Sequence, residues 1–149
     1  ARASGSTRDS RKDIGYGIYD ELDFEVITET AGDVEARIKV RIGEVAQSLK
    51  LVRQLISKLR RNAETQLAVE LGELKQEEGH FTWGISESAR GDNLHCLLLD
   101  KEGRIDRLFV RSASYPNWPA LTVAVQGDII PDFPLINKSF ELCYACIDR

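Results

Sequence analysis

Cysteine, long apolar runs and net charge are all scarce in this sequence. Three cysteines make an odd count and imply no disulfide framework, so a reducing compartment is expected. No apolar run approaches the roughly 20 residues that span a bilayer. The opening stretch ARASGSTRDSRKD has no apolar signal core and no starting Met, and it reads as an internal start of a chain cut or split from a longer one. A net charge of -4 leaves no basic footprint, which excludes nucleic acid as a partner. Internal repeats and low-complexity tracts are absent too. What remains, 42% hydrophobic and 30% charged over 149 residues, is ordinary globular composition, enough for one domain or a piece of one.

Residues 1–32 are rich in Gly and Asp with little periodicity, and read as an extended, loop-dominated stretch that is either a surface arm or a packed segment. Over residues 33–61, apolar side chains recur at Val34, Ile38, Ile42, Val45, Leu49, Val52, Ile56 and Leu59. That spacing traces one stripe along a helix, with Asp33 as N-cap and Lys58, Arg60 and Arg61 at the negative end. Leu51 and Leu55 widen the stripe, so the helix is expected to be a scaffold rod, about 40 Å long, packed in a bundle. Residues 64–79 read as a short helix or a connection. From about residue 80 the pattern becomes strand-like, and LHCLLLD and RIDRLFVRS flank the turn KEGR as a hairpin. A helix follows Pro116 or Pro119 and ends near Gly127. DIIPDFPLINKSF reads as a Pro-punctuated loop. The fold class expected is α+β, mainly α, with a long scaffold helix and a small β-hairpin, in one segment over residues 1–149.

Four places carry candidate chemistry. Cys143 and Cys146 sit three positions apart, spacing that aims two soft thiolates at one zinc, iron–sulfur or nickel centre. A closed zinc site needs about four ligands, so the pair is half a site, a redox pair or an accidental pair. Cys96 lies inside an apolar strand and reads as core packing, with His95 structural. Arg90 precedes Gly91 and is either a ligand-facing cation or one arm of a surface salt bridge. Ser112 and Ser114 can hydrogen-bond a ligand or merely local backbone. Glu141, two positions before Cys143, is either a proton-handling carboxylate or a solvated one.

Taken together, these stretches resemble the C-terminal part of a [NiFe]-hydrogenase large subunit, in the group 4 energy-converting branch that includes the formate hydrogenlyase type. The catalytic-arm subunit of respiratory complex I shares the plan. Residues 1–26 are similar to the branch's R-x-SG-x-x-x-D-x-R segment and its Y-x-x-YD stretch. GDVEARIKVRIGEVAQSLKLVRQ resembles its long helix, with Gly32, Asp33, Arg37, Arg41, Glu44, Gln47, Ser48 and Gln54 in pattern. ESARGDNLH resembles EAPRG, RSASYPNW resembles RAPSY-x-N, and FELCYACIDR resembles DPCxxCxxR.

The resemblance implies that Cys143 and Cys146 supply two of four thiolates to a Ni-Fe(CN)2CO centre, the second also bridging to iron. The other two come from a Cys-x-x-Cys pair in the remaining part of the large subunit. Arg90 takes the position over the open side of the metals, Ser114 the place that hydrogen-bonds one cyanide, and Glu141 the place of the motif's Asp. Arg149 stands where a maturation protease cuts. Complex I subunits have lost the cysteines, so their presence favours hydrogen chemistry. The implied partners are a small subunit with a [4Fe-4S] cluster and membrane-arm subunits, with the chain peripheral on the cytoplasmic face of the membrane. Ala89, Ala113 and Leu142 stand where the motifs carry proline, and the three losses imply a pocket less stiff than the family's. A scaffold role in a complex I-like assembly and a small zinc or redox-thiol module are the alternatives.

Overall fold

A computed structural model describes residues 1–61 and 80–147. The stretch 64–79 and Arg149 therefore lie outside the described residues. The architecture is α+β, as expected, and its spine is the 28-residue helix α2, Val34–Arg61. The Asp33 carboxylate caps it, Oδ1 accepting the Ala36 N–H at 2.7 Å. Gly43 sits mid-helix, where glycine costs about 1 kcal/mol. The reason is a close approach: a Cβ there would lie 2.7 Å from Cγ2 of Ile27. The chain before α2 runs back across the helix at that point.

Glutamines about one and three turns on strap the same segment down. Gln47 Oε1 accepts the Glu25 N–H at 3.3 Å. Gln54 accepts the Asp23 N–H at 2.9 Å and donates to the Asp23 carbonyl at 2.6 Å. Two small cores result, Leu22, Phe24 and Leu51 backed by Tyr19, and Ala3, Ala36 and Val40. Residues 1–32 are thus a packed segment and not a surface arm. They contain a 3-10 turn at Arg2–Ser4, the short helix α1 at Ser10–Asp13 and a second 3-10 turn at Tyr19–Glu21.

The apolar stripe of α2 behaves differently from expectation. The side chains α2 buries among the described residues are Ala36, Val40 and Leu51. At 100° per residue these point about half a turn away from the stripe. Ile42 remains 67% exposed, Val45 61% and Leu59 59%. The periodicity marks a face that the described residues leave uncovered, so no bundle forms within them.

The expected hairpin is the second half of a three-stranded antiparallel meander, β1 Phe81–Ser88, β2 Gly91–Leu99 and β3 Ile105–Arg111. Trp83, Cys96 and Phe109 pair across it and share one face. The turn from β1 to β2 has only two residues, Ala89 and Arg90, because Ser88 pairs with Gly91. Gly91 has φ 119°, and a Cβ there would meet nothing within 4 Å. The position needs glycine for its dihedral and not for the close approach expected of it. The β2–β3 turn is held by Asp100, whose Oδ1 accepts the N–H groups of Glu102 and Arg104.

After β3, a 3-10 turn at Tyr115–Asn117 runs into α3, Trp118–Ala124. DIIPDFPLINKSF is not a loop. It forms a 3-10 turn at Ile130–Asp132 and then α4, Phe133–Phe140. Its prolines fall in first turns, where the missing N–H has no helical partner to lose. Among the described residues no helix is long and apolar enough to cross a membrane.

Candidate functional site

The thiol loop begins where α4 ends. Glu141 caps that helix in the left-handed conformation, φ 50° and ψ 37°. It is the sole non-glycine with positive φ among the described residues. Two residues on, the Cys143 N–H donates to Ser114 Oγ at 3.1 Å, with Ser114 only 3% exposed. The Tyr144 ring packs on Trp118 with centroids 4.9 Å apart, which seats the loop on α3. Cys143 is exposed and Cys146 half-buried, and all three cysteines carry thiols.

The β1–β2 turn delivers Arg90 to the same place. Its Nε donates to the Glu141 carbonyl, and its Nη2 lies 3.6 Å from Glu141 Oε2. The salt bridge offered as one reading of Arg90 therefore exists, and it lies within the cluster formed with Glu141, Ser114 and Cys143. Asn117 braces the arrangement, donating to the Arg90 carbonyl at 2.9 Å and the Ala113 carbonyl at 2.7 Å. Four sequence-predicted residues from three separated stretches thus converge, Arg90, Ser114, Glu141 and Cys143, with Cys146 three positions further along the same loop. Ser112 is not engaged, its buried Oγ having no partner among the described residues.

Sequence reasoning missed several supporting groups. Arg37 and Arg41 stand in the helix pattern without a role. In the fold, Arg37 Nε donates to Ser139 Oγ at 2.8 Å and its guanidinium lies 4.1 Å over the Phe140 ring. Burial lowers the Arg37 pKa, with Asp33 opposing. Arg41 Nη1 donates to the Ser139 carbonyl at 2.6 Å and lies 3.8 Å from Glu141 Oε2. Asn93 corrects the expected looseness at Ala113: its Oδ1 accepts the Ala113 N–H at 2.9 Å, a bond that proline cannot make. The stiffness lost with the ring is supplied there by a hydrogen bond. The stretch RSASYPNW carries no signal of this, because the acceptor is 20 residues upstream.

A cleft of about 660 Å³ opens beside the cluster, with Arg41, Glu44, Arg90 and Glu141 in its wall. Its far side is an ion-pair network around Arg2, which meets Asp9 at 3.0 Å, Glu87 at 2.5 Å, and Glu44. Arg11 adds a 2.6 Å bridge to Asp9. Burial by itself would raise the Asp9 carboxyl, but the Arg11 hydrogen bonds and the Arg2 charge hold it below its ordinary range. For Arg2, burial acts downward and the three carboxylates more than reverse it. Because Glu87 is three residues before Arg90, this network anchors the strand end from which Arg90 projects.

Two thiols at this spacing are soft donors suited to nickel or zinc, yet they are half of a four-coordinate set. Among the described residues, no group of three or more His, Cys, Asp or Glu side chains could hold a metal. Neither His95 nor Cys96 completes the pair; Cys96 is half-buried opposite Trp83 and Phe109 on the sheet. The donor set fits a metal centre whose other ligands come from elsewhere.

The family model for "Respiratory-chain NADH dehydrogenase, 49 Kd subunit" matches residues 1–77 and 71–149. Formate hydrogenlyase subunit 5 of Escherichia coli is 36% identical over 99% of this chain and 25% of its own length. An NADH-quinone oxidoreductase subunit of Salinispora tropica is 37% identical over the whole chain and 38% of its own length. A chain in the structure of the membrane-bound sulfane sulfur reductase, an archaeal respiratory membrane complex, superposes with a TM-score of 0.85 at 29% identity, over 99% of this chain and 41% of that one. The chain spans between about a quarter and two fifths of the length of these proteins.

Proposed function

This chain belongs to the family of the 49 kDa subunit of respiratory-chain NADH dehydrogenase, an oxidoreductase family that includes hydrogenase subunits, and from that membership we propose that it is the C-terminal part of a [NiFe]-hydrogenase large subunit in a membrane-bound, energy-converting complex. The observation that carries the reading is the seating of Cys143. Its N–H is held by buried Ser114 and it follows the Glu141 turn that Arg90 clasps. Family membership alone does not carry it, since the relatives span hydrogenase, quinone and sulfur reductase complexes.

On this reading Cys143 and Cys146 hold half of a nickel–iron centre, and a second thiol pair comes from a part of the large subunit outside this chain. The centre, when bound, supplies the redox chemistry of splitting or forming H2. The chain's own residues do the rest. Ser114 has its Oγ occupied as acceptor by the Cys143 N–H, which leaves its hydroxyl proton free to donate, and it would do so to a polar group of the bound centre. Arg90 places a permanent cation at the mouth of the site. Glu141, half-exposed and ion-paired on one edge, is placed to accept or give a proton at its carboxylate. The implied electron partner would be an iron–sulfur cluster of a small partner protein, and the chain would dock peripherally, on the cytoplasmic side, against membrane-arm subunits.

A second reading, a complex I-like scaffold without hydrogen chemistry, is favoured by the quinone-oxidoreductase relative being as similar as the hydrogenlyase one. Metal analysis and infrared spectroscopy of the intact complex separate them. The expected result is about one nickel per complex with sharp carbonyl and cyanide bands, both lost in Cys143→Ala. A matured complex with neither nickel nor those bands leaves the scaffold reading in place.

A further inference from the structure

We propose that Arg41, on α2, is a positioning residue for the thiol loop: it ties the Ser139 carbonyl to the Glu141 carboxylate and so sets where Arg90 and Cys143 stand relative to each other. The chemical use of that placement rests on the metal-site reading above, while the placement itself does not. The last carbonyls of α4 have no helical partner and must find one. Ser139 finds Arg41 at 2.6 Å. The next residue but one, Glu141, is in the left-handed region, a conformation that strains a non-glycine residue and persists only when its surroundings over-determine it.

Arg41 and Arg90 are those surroundings. Both reach Glu141 Oε2, at 3.8 Å and 3.6 Å, from different elements, and Arg90 also takes the Glu141 carbonyl. The carboxylate is therefore a shared counter-ion between two guanidiniums. Releasing Arg41 frees Glu141 to follow Arg90, and the turn that delivers Cys143 to Ser114 is then held to α2, among the described residues, only upstream of Glu141, by Arg37 at Ser139 Oγ and the Phe140 ring. Both contacts come from one nitrogen of Arg41, Nη1, at the far end of the guanidinium; a lysine ammonium sits one bond nearer the backbone and reaches them less well.

The test is amide hydrogen exchange on the intact complex, comparing Arg41→Gln, Arg41→Lys, Glu141→Gln and the double variant Arg41→Gln/Glu141→Gln, with Lys39→Gln as a same-helix control. Arg41→Gln is expected to speed exchange over 139–147 roughly tenfold while 34–61 keeps its native rate. Arg41→Lys is expected to recover only part of the protection, and the double variant to be no worse than Arg41→Gln alone. Native-rate exchange in Arg41→Gln, a speeding spread evenly over α2 and α4, or strict additivity would each overturn the proposal. In nickel-loaded complex the cyanide bands are also expected to shift in Arg41→Gln and not in Lys39→Gln. If the native complex carries neither nickel nor such bands, the metal-site reading falls and the exchange data alone decide the role of Arg41.

Discussion

Around Arg2, three carboxylates close in at hydrogen-bond range with side chains 0%, 4% and 19% exposed. Around Glu141, two guanidiniums stand off at 3.6 and 3.8 Å from a carboxylate that is 41% exposed. Both assemblies wall the same cleft and both use arginine, yet they have different physical characters. The first is dry, so that removing Asp9 leaves the half-buried Arg11 without its ion-pair partner and the Arg11 N–H without its acceptor. The second is wet and slack at its carboxylate, so each ion pair there is worth little to stability. Such slackness is wasteful in a structural clamp and useful in a group that must exchange protons or admit a ligand.

The contrast is most easily broken at Asp9. Asp9→Ala should destabilise the region by about 3 kcal/mol or more, read as faster amide exchange over the N-terminal segment and the end of β1. The pH dependence has a definite sign. The Asp9 carboxyl is held below its ordinary value in the fold, so its contribution is full above that value and is lost as pH falls through the depressed one. Protection of the Arg11 amide, which donates to the Asp9 carboxylate, should therefore hold down to about pH 4 and then fall away. Loss of that protection between about pH 5 and pH 7 would contradict the assignment. A smaller effect is expected at Asn93. Asn93→Ala leaves the buried Ala113 N–H without its acceptor and should cost about 1–2 kcal/mol, whereas Asn93→Asp keeps an acceptor and should cost less. The smallest belongs to Glu141→Gln, which should change global stability by less than about 0.5 kcal/mol and, on the metal-site reading, alter proton-dependent turnover of the complex. A large loss of stability there would erase the distinction between the two assemblies.

How much of this can be read from the chain follows the range of the forces. The α2 boundaries, its N-cap and the turn before β3 are local, and their residues declare them. So are the Cys-x-x-Cys spacing and the Arg-Gly turn. The α4 helix is obscured because Pro131 and Pro134 look like breakers until their first-turn positions are known. The stripe on α2 is legible as a pattern but not as a destination, because periodicity tells which face is apolar and says nothing of what covers it. Nor does it signal that the segment before the helix takes the opposite face, through Gly43, Gln47 and Gln54. The bracing of the site by Arg41, Asn93 and Asn117 joins residues 20 to about 100 positions apart, and no single-sequence pattern reports such pairs.

The uncovered stripe has a consequence for how this region comes to exist in a cell. Seven apolar side chains from Ile38 to Leu59, each 43% exposed or more, make the native state a partner in a mass-action equilibrium. Its population then depends on how much of the covering surface is present and on when that surface arrives. Without such cover the stripe, as the described residues show it, is a ready template for non-specific association, and on the reading of the chain as part of a complex the order in which its pieces are made would matter.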